Sequence, residues 1–462
     1  MWRIRVAWMF GAAWMHVTTG VALNLYADQI MKMPLFWLGI LGALPFIGAV
    51  TALPASYFIA RYGRRKRLFM IAGISYRSLW IPIALIPWVL PYTWWWKALI
   101  ALHALGSFGT YVMSPAVMSW FADVIPARIR GRFFATWSQG GAIVGLIAGQ
   151  FVAHLLDRAM SQEALTRTIS IAFAVAAVMG VIDFLWIIPI PDVGHRANPQ
   201  ITLRELFREP LADRNFRCFL AFNAIRTLSI GYLSQFVWLY LRDELLVSKG
   251  TANLMWVVVP TLVSILVLRP WGRFVDRLGC KPTLILGAVL LLHGAGAWVL
   301  VRPEHPWGGY LAVLVAVAAW TGVEVASLNL MLRMSASHGG TRQGSAYWAV
   351  NSAVMALGGA LSGVLGGAVA SSLGDGWKGS FLGLPLTYHG VLFLISSGLR
   401  LLALPWLFLL HEPESQTPSE AVQYVLTTAG TRLRTALLSP LRTLRGLTRV
   451  AGNRRGQDHT EE

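Results

Sequence analysis

Ionisable side chains are rare within the long apolar stretches of this 462-residue sequence, so each one is a candidate for chemistry. Arg226 and Glu324 lie in two different stretches, each roughly 12–15 Å from one end at a helical rise of about 1.5 Å per residue. A buried Arg–Glu pair can act as a switch, because a carboxylate that loses its cationic partner in a dry site takes up a proton. Two alternatives stay open: a static structural pair, or Arg226 as the anchor of an anionic substrate.

Among the other ionisable residues within the apolar stretches, three are further candidates. Arg77 and Asp183 match each other in depth, and because intramembrane charges usually pair, we expect a structural ion pair. Asp183 is also a second candidate for proton coupling. His16 can relay protons or bind substrate, since free imidazole titrates near neutral pH. The simpler interpretation of His16 is a hydrogen bond from the neutral ring to a neighbouring helix.

The elements that position these residues are helices that cross a membrane. Hydrophobic residues make up 56% of the chain and charged residues 13%, roughly half the charged share of a soluble domain. A spanning helix needs about 20 apolar residues, and the sequence predicts an all-α integral membrane protein with twelve of them. Their ranges are 6–28, 35–60, 68–90, 96–121, 133–156, 168–190, 216–240, 252–271, 282–301, 308–332, 345–372 and 385–410.

A short basic motif occurs twice, about half a chain apart, and each copy lies between two apolar stretches. The second copy contains Gly272, Asp276, Arg277, Gly279 and Lys281. The first copy contains Arg61, Gly63, Arg64 and Arg65, with Ala60 in place of the aspartate. A charged turn duplicated in this way is typical of transporters built from two repeats of one helical bundle.

The second copy resembles the signature turn of the major facilitator superfamily, G-x-x-x-D-R-x-G-[RK]-[RK], and departs from it at Cys280. The segment with Pro126, Arg130, Gly131 and Arg132 is similar to the family's turn between helices 4 and 5. The resemblance covers residues 1 to about 412. It implies two six-helix pseudo-repeats that rock about a midplane site, with these turns as a gate on the inner side.

The resemblance also implies which helices line the central cavity, namely helices 1, 4, 7 and 10, whereas helices 3 and 6 are peripheral. Arg226 and Glu324 would then face each other across one wall. The uncharged candidates for contact with a substrate are Asn24, Tyr111, Asn223, Tyr232, Gln235 and Trp320. Packing or an interfacial position is the alternative for most of the aromatic residues.

Glycines recur at four-residue spacing on two of the predicted helices. Helix 5 has Gly141, Gly145 and Gly149, and helix 11 has Gly359, Gly363 and Gly367. Small residues let membrane helices approach closely, so both patterns predict packing against the opposite half.

Positive charge indicates the orientation of the chain. Most of the 39 Lys and Arg residues lie on one side of the predicted bundle together with both termini, and the positive-inside rule places that side in the cytoplasm. The net charge of +18 is mostly this signal, and because it is dispersed over loops we expect no nucleic-acid partner. The sequence predicts a monomeric, multi-pass protein of the plasma (inner) membrane.

The chain divides into four predicted regions: an N-terminal bundle over 1–190, a cytoplasmic linker over 191–215, a C-terminal bundle over 216–411 and a basic tail over 412–462. Leucines and arginines alternate at helical spacing in the tail. This pattern favours a helix bound to anionic lipid of the inner leaflet, and a disordered basic tail is the alternative.

The sequence carries no phosphate-binding loop of the type G-x-x-x-x-G-K-[ST] and no H-E-x-x-H or clustered Cys/His motif. We therefore expect no cofactor, no metal and no enzymatic activity. The predicted function is secondary active transport of a small organic solute, anionic or zwitterionic, coupled to protons, with Glu324 as the first candidate for the coupling group. The alternatives are a multidrug efflux antiporter and a non-transporting scaffold or sensor with the same fold.

Overall fold

A computed structural model of the chain describes residues 1–192, 210–337 and 341–412. Residues 193–209 of the predicted linker lie outside the described residues, and so does the tail from residue 413 with its predicted lipid-binding helix. The side chains of Ala60, Arg130, Gly131 and Arg132 also lie outside the description, although their backbone belongs to two helices.

Helices follow one another along both halves of the chain. In the first half they are α1 (Trp2–Ile30), α2 (Leu35–Ala49 with Ala52–Tyr62), α3 (Arg65–Ser78 with Trp80–Val89), α4 (Trp95–Val124), α5 (Ala127–Asp157) and α6 (Gln162–Ile187). In the second half they are α7 (Arg214–Leu228 with Ser234–Asp243), α8 (Lys249–Leu278), α9 (Cys280–Leu300), α10 (Gly308–Ser337), α11 (Thr341–Leu373) and α12 (Tyr388–Phe408).

Within the described residues, 10 helices are long and apolar enough to cross a membrane. The two other predicted spans correspond to α4 and to the interrupted helix α7, which are not among these 10. The predicted α-helical membrane protein is thus confirmed, with one addition. A two-stranded antiparallel hairpin, β1 (Lys378–Phe381) and β2 (Leu384–Thr387), lies between α11 and α12.

The two halves repeat a buried hydrogen bond between their first and third helices. The hydroxyl of Tyr26 in α1 donates to the carbonyl of Ile83 in α3 at 2.5 Å. The hydroxyl of Tyr240 in α7 donates to the carbonyl of Val301, which directly follows α9, at 2.6 Å. Each bond satisfies a phenol that has no water to bind inside the bundle.

A second repeated contact joins the basic motif of each half to the end of that half's last helix. A lysine Nζ donates in each half to two carbonyls at 2.6–3.0 Å: Lys66 to Ile188 and Ile190, and Lys281 to Phe408 and Leu410. The last carbonyls of a helix have no partner within the helix, and a cation there also complements the helix dipole. The basic motif therefore caps a helix within its own half.

The glycines of α11 pack against the other half as predicted. A side chain at Gly359 would collide with Phe46 of α2, and one at Gly363 would collide with the backbone of Gly39. The same prediction is wrong for α5, whose Gly141 and Gly145 face Trp8 and His16 of α1 in the same half. Two bulky rings of α1 fill the space that these glycines leave.

The described polar contacts between the halves lie near the end of the bundle that holds the β-hairpin, here called the hairpin end. The other end, where the described residues begin at Met1 and stop at Glu412, is called the terminal end. Arg242 forms an ion pair with Asp28. Both carboxylate oxygens of Asp157 accept backbone N–H groups at the start of α8, from Lys249 at 2.7 Å and Gly250 at 2.8 Å. The halves are therefore joined at the hairpin end.

Candidate functional site

The pair formed by Arg226 and Glu324 joins α7 to α10. Nη1 of Arg226 lies 2.7 Å from Oε1 of Glu324, and the guanidinium carbon lies 4.6 Å from the ring centroid of Trp320. Arg226 is in the last turn of its helical segment, where the helix dipole favours a cation. The two partners differ in burial, since 3% of the Arg226 side chain is accessible against 47% for Glu324.

A second buried cation is linked to Arg226 through Ser229. Arg400 of α12 donates from Nε to the hydroxyl of Ser229 at 3.2 Å and from Nη1 to the carbonyl of Leu291 at 2.8 Å. Ser229 in turn donates its hydroxyl to the carbonyl of Arg226 at 2.6 Å. In this network of described residues, Glu324 is the carboxylate that compensates the buried positive charge, so its protonation state sets the net charge of the site.

Three of the uncharged candidates make contacts with residues other than Arg226 and Glu324. Asn223 donates to the side-chain carbonyl of Asn351 at 3.0 Å inside the C-terminal half. Tyr232 is buried in the interruption of α7 between Leu228 and Ser234. Asn24 bonds the carbonyl of Gly20 and lies beside Asp28 near the hairpin end.

A cavity of about 540 Å³ lies among the helices of the N-terminal half. The candidates Tyr111 and Gln235 line it, and Gln235 reaches it from α7 of the other half. Arg77 and Asp183 line it as well, with Nη2 of Arg77 at 3.2 Å from Oδ2 of Asp183. They form the predicted ion pair, but the expectation that helices 3 and 6 keep them peripheral is wrong, because both side chains face this cavity.

Sequence reasoning missed three residues that line the same cavity: Trp14 of α1, His103 of α4 and Trp137 of α5. Nothing in the sequence distinguishes them, because α1 and α4 are apolar on all sides and hydrophobic periodicity then does not reveal which side faces a cavity.

His16 does not line this cavity. Its Nδ1 lies 3.0 Å from the carbonyl of Ala12, one turn earlier in α1, and its ring packs against Gly145 of α5. The hydrogen bond is therefore local to α1 instead of reaching a neighbouring helix. Among the described residues, no group of His, Cys, Asp and Glu has the geometry to hold a metal ion.

The two basic motifs adopt the turns that their glycines permit. Gly63 has φ +67° and Gly279 has φ +97°, a region that residues with a side chain rarely adopt. The start of α9 is capped by Glu412, which accepts the N–H groups of Cys280 and Lys281. Asp276 is exposed and does not provide this cap. Its role as a gate, and that of the neighbouring Gly272 and Arg277, stays a prediction.

The first motif makes different contacts. Arg65 is buried, 1% exposed, whereas Arg61 and Arg64 are exposed. Arg61 donates from Nη1 to the hydroxyl of Tyr57 at 2.7 Å within the same helix. Lys66, which follows the part of the motif that matches the family, supplies the helix cap. In each copy a lysine thus caps the last helix of its own half, but the sequence spacing between the glycine and the lysine differs between the copies.

Comparison with known proteins identifies the family. The sequence model of the Major Facilitator Superfamily matches residues 6–240 and, as a second copy, residues 219–451. No curated protein sequence matches the chain significantly. The two matches confirm the predicted pair of repeats and mark the chain as a transporter, not an enzyme.

Solved structures of transporters share the fold at low identity. The nucleoside transporter NupG is 13% identical, with 88% of this chain and 98% of that chain aligned at a TM-score of 0.64. A D-xylose–proton symporter is 15% identical, covering 86% and 97% at 0.64. An inward-facing bacterial homologue of the human lysosomal transporter Spinster is 14% identical, covering 88% and 95% at 0.63. At these identities the likeness concerns the fold.

Proposed function

Because the chain belongs to the major facilitator superfamily, we propose that it is a secondary active transporter that carries a small organic solute by alternating access and couples this movement to protons. The observation that carries the proposal is the ion pair of Arg226 and Glu324, 2.7 Å long, in which the cation is buried and the carboxylate is half accessible. A proton can reach the accessible carboxylate of Glu324, and its binding removes the counter-ion of the buried Arg226.

The coupling follows from the charge balance of this pair. Protonation of Glu324 leaves Arg226 as a buried cation without a counter-ion, which is unfavourable by several kcal/mol in a dry site. An acceptor group of the solute, or a rearrangement of α7 against α10, relieves that cost. Proton binding and solute binding are then linked through a coupling free energy that acts in both directions.

The solute classes to test first come from the solved relatives, one of which transports nucleosides while another moves D-xylose with protons. The charge of the solute is inferred from how the buried arginines are paired with carboxylates. Arg77 pairs with Asp183, so the site in the N-terminal half is balanced in charge. The network of Arg226, Arg400 and Glu324 instead contains two cations and one carboxylate. The balance in the N-terminal half favours an uncharged or zwitterionic solute there over a net anion, because an unpaired charge is costly in a buried site.

We further propose that the protein lies in the plasma (inner) membrane as a monomer, with both termini in the cytoplasm. Support comes from the excess of Lys and Arg on the side of the termini. In this orientation the hairpin end, where the polar contacts between the halves lie, faces outward. The basic tail would then lie against anionic lipid of the inner leaflet.

Vesicles that contain the purified protein and an internal pH-sensitive dye test the proposal. We expect added uridine or D-xylose to cause a proton influx that protein-free vesicles do not show. A multidrug exporter would instead move ethidium in exchange for protons that flow down their gradient. A scaffold or sensor would move neither solute nor dye under any gradient, and that result would overturn the proposal.

A further inference from the structure

The cavity in the N-terminal half contains buried donor groups without a hydrogen-bond partner among the described residues. They are Nε and Nη1 of Arg77 and Nε1 of Trp14. Nδ1 of His103, which donates in one tautomer of the ring and accepts in the other, has no partner either, and each of these side chains is less than a tenth exposed. Buried polar groups are nearly always satisfied, and an unmade hydrogen bond costs about 1–3 kcal/mol. Several such groups around one cavity point to a ligand that supplies acceptors.

The cavity has no excess charge. Arg77 contacts Asp183 through a single N–O pair at 3.2 Å, which leaves its other nitrogens directed elsewhere, and its guanidinium carbon lies 3.6 Å from the ring centroid of Trp14. A ligand with a net charge would leave that charge uncompensated among apolar walls. The free groups are mostly donors, and Gln235 adds one free acceptor, its Oε1.

The walls of the cavity are aromatic. Trp8 and Trp137 stack with ring centroids 4.4 Å apart and 21° between their planes, and both line the space together with Tyr76, Tyr111 and Phe184. Flat rings bind well against such walls, through offset-stacked or edge-to-face contacts. The volume of about 540 Å³ is within the range of cavities that enclose small organic ligands.

We propose that this cavity binds an uncharged solute that carries an aromatic ring and hydrogen-bond acceptors. Arg77, Trp14 and His103 donate to the acceptors, Asp183 keeps the site neutral, and the tryptophans hold the ring. The site rests on the proposed function, since it defines the class of solute that is carried. Gln235 approaches from the C-terminal half, so a bound solute contacts both halves, as alternating access requires.

Three probes with one ring system and different charges test this assignment: uncharged indole-3-acetamide, anionic indole-3-acetate and cationic tryptamine. Binding is measured by calorimetry on the full chain in detergent, where transport is not needed. The amide is expected to bind at least about tenfold more tightly than either ion. Trp14→Phe keeps the ring but removes one donor, and should weaken amide binding about three- to tenfold.

Asp183→Asn gives the most specific result, because it leaves Arg77 as an unpaired cation in the cavity. The preference should reverse, with indole-3-acetate at least about tenfold tighter than the amide. Trp88→Phe is the matched control, since Nε1 of Trp88 donates to Ser170 outside this cavity. It should leave all three affinities unchanged.

Equal affinities for the three probes, no binding of any probe, or a Trp14→Phe variant that binds the amide like the wild type would overturn the assignment. Trp14→Phe decides the question even where Asp183→Asn does not fold. The outcome is separate from that of the proposed function. Probe binding with no solute movement in vesicles contradicts transport alone, and solute transport that Trp14→Phe leaves unaltered contradicts this site alone.

Discussion

Arg226 and Glu324 differ in burial, and that difference predicts unequal effects on stability. Glu324→Leu leaves a buried guanidinium without its carboxylate and should lower the free energy of unfolding by about 3 kcal/mol. Arg226→Met leaves a half-accessible carboxylate that water can solvate, so the loss should be about 1 kcal/mol. Thermal unfolding of the purified variants in one detergent measures the difference.

The double variant Arg226→Met/Glu324→Leu provides the control for this comparison. It removes both charges of the pair, so its stability should exceed that of Glu324→Leu alone. Equal losses in both single variants, or a double variant less stable than either, would show that the pair does not carry the buried charge in the way described.

The position of this pair could be predicted from the sequence, whereas the lining of the cavity could not. Charged residues within apolar stretches are rare, and the helical rise gives their depth in the membrane. This reasoning predicts Arg226 and Glu324 at the same depth. The matching depth of Arg77 and Asp183 could be predicted from the sequence in the same way. Which side of α3 and α6 they occupy depends on how helices pack, and neither depth nor composition contains that information.

At the scale of elements, the start of α8 is held by a residue from the other half. Asp157 of α5 accepts the N–H groups of Lys249 and Gly250, and a carboxylate at a helix start is favoured by the helix dipole. Asp157→Ala removes two hydrogen bonds to a charged group. The equilibrium should move at least about tenfold toward a state that is open at the hairpin end.

Labelling of a cysteine introduced in place of Asn24, near this contact, reports the opening. The matched control is Glu163→Gln, which removes an exposed ion pair with Arg167 within α6 and should leave labelling unchanged. If Asp157→Ala is labelled at the rate of the parent protein, the contact does not hold the hairpin end closed.

The two lysine caps predict matched effects in the two halves. Lys66→Met and Lys281→Met each remove a cation that bonds two carbonyls at a helix end, so each should lower stability by about 1–2 kcal/mol. Arg67→Met, an exposed neighbour in the same motif, should change it by less than about 0.5 kcal/mol. Thermal unfolding measures all three, and a Lys66→Met variant as stable as Arg67→Met would contradict the cap.

The apolar stretches predicted most helices, but they did not predict where α7 is interrupted. Polar residues are spread along the predicted span over 216–240, and no proline marks the break at 229–233. The hydroxyl of Ser362 in α11 accepts the N–H of Gly231, one of the backbone groups freed by the break. A partner so distant in sequence cannot be read from local pattern, and the same holds for the hairpin at 378–387.

At the scale of the whole molecule, the described transport groups lie within the two bundles, and the tail lies outside the described residues. Deletion of residues 420–462 should therefore leave solute uptake into vesicles nearly intact. It should weaken binding of the protein to anionic lipid, by about 1 kcal/mol for each basic residue of the tail near the surface. Loss of uptake by a deletion variant that remains folded would make the tail part of the transport mechanism.

The most direct test of proton coupling compares two kinds of transport by Glu324→Gln in vesicles: exchange of labelled for unlabelled solute without a gradient, and accumulation driven by a proton gradient. Glutamine cannot ionise, yet its amide oxygen can still accept a hydrogen bond from Arg226. The variant should exchange solute at a rate within about threefold of the wild type and should lose accumulation by at least about tenfold. Full gradient-driven accumulation by Glu324→Gln would contradict the role assigned to this carboxylate.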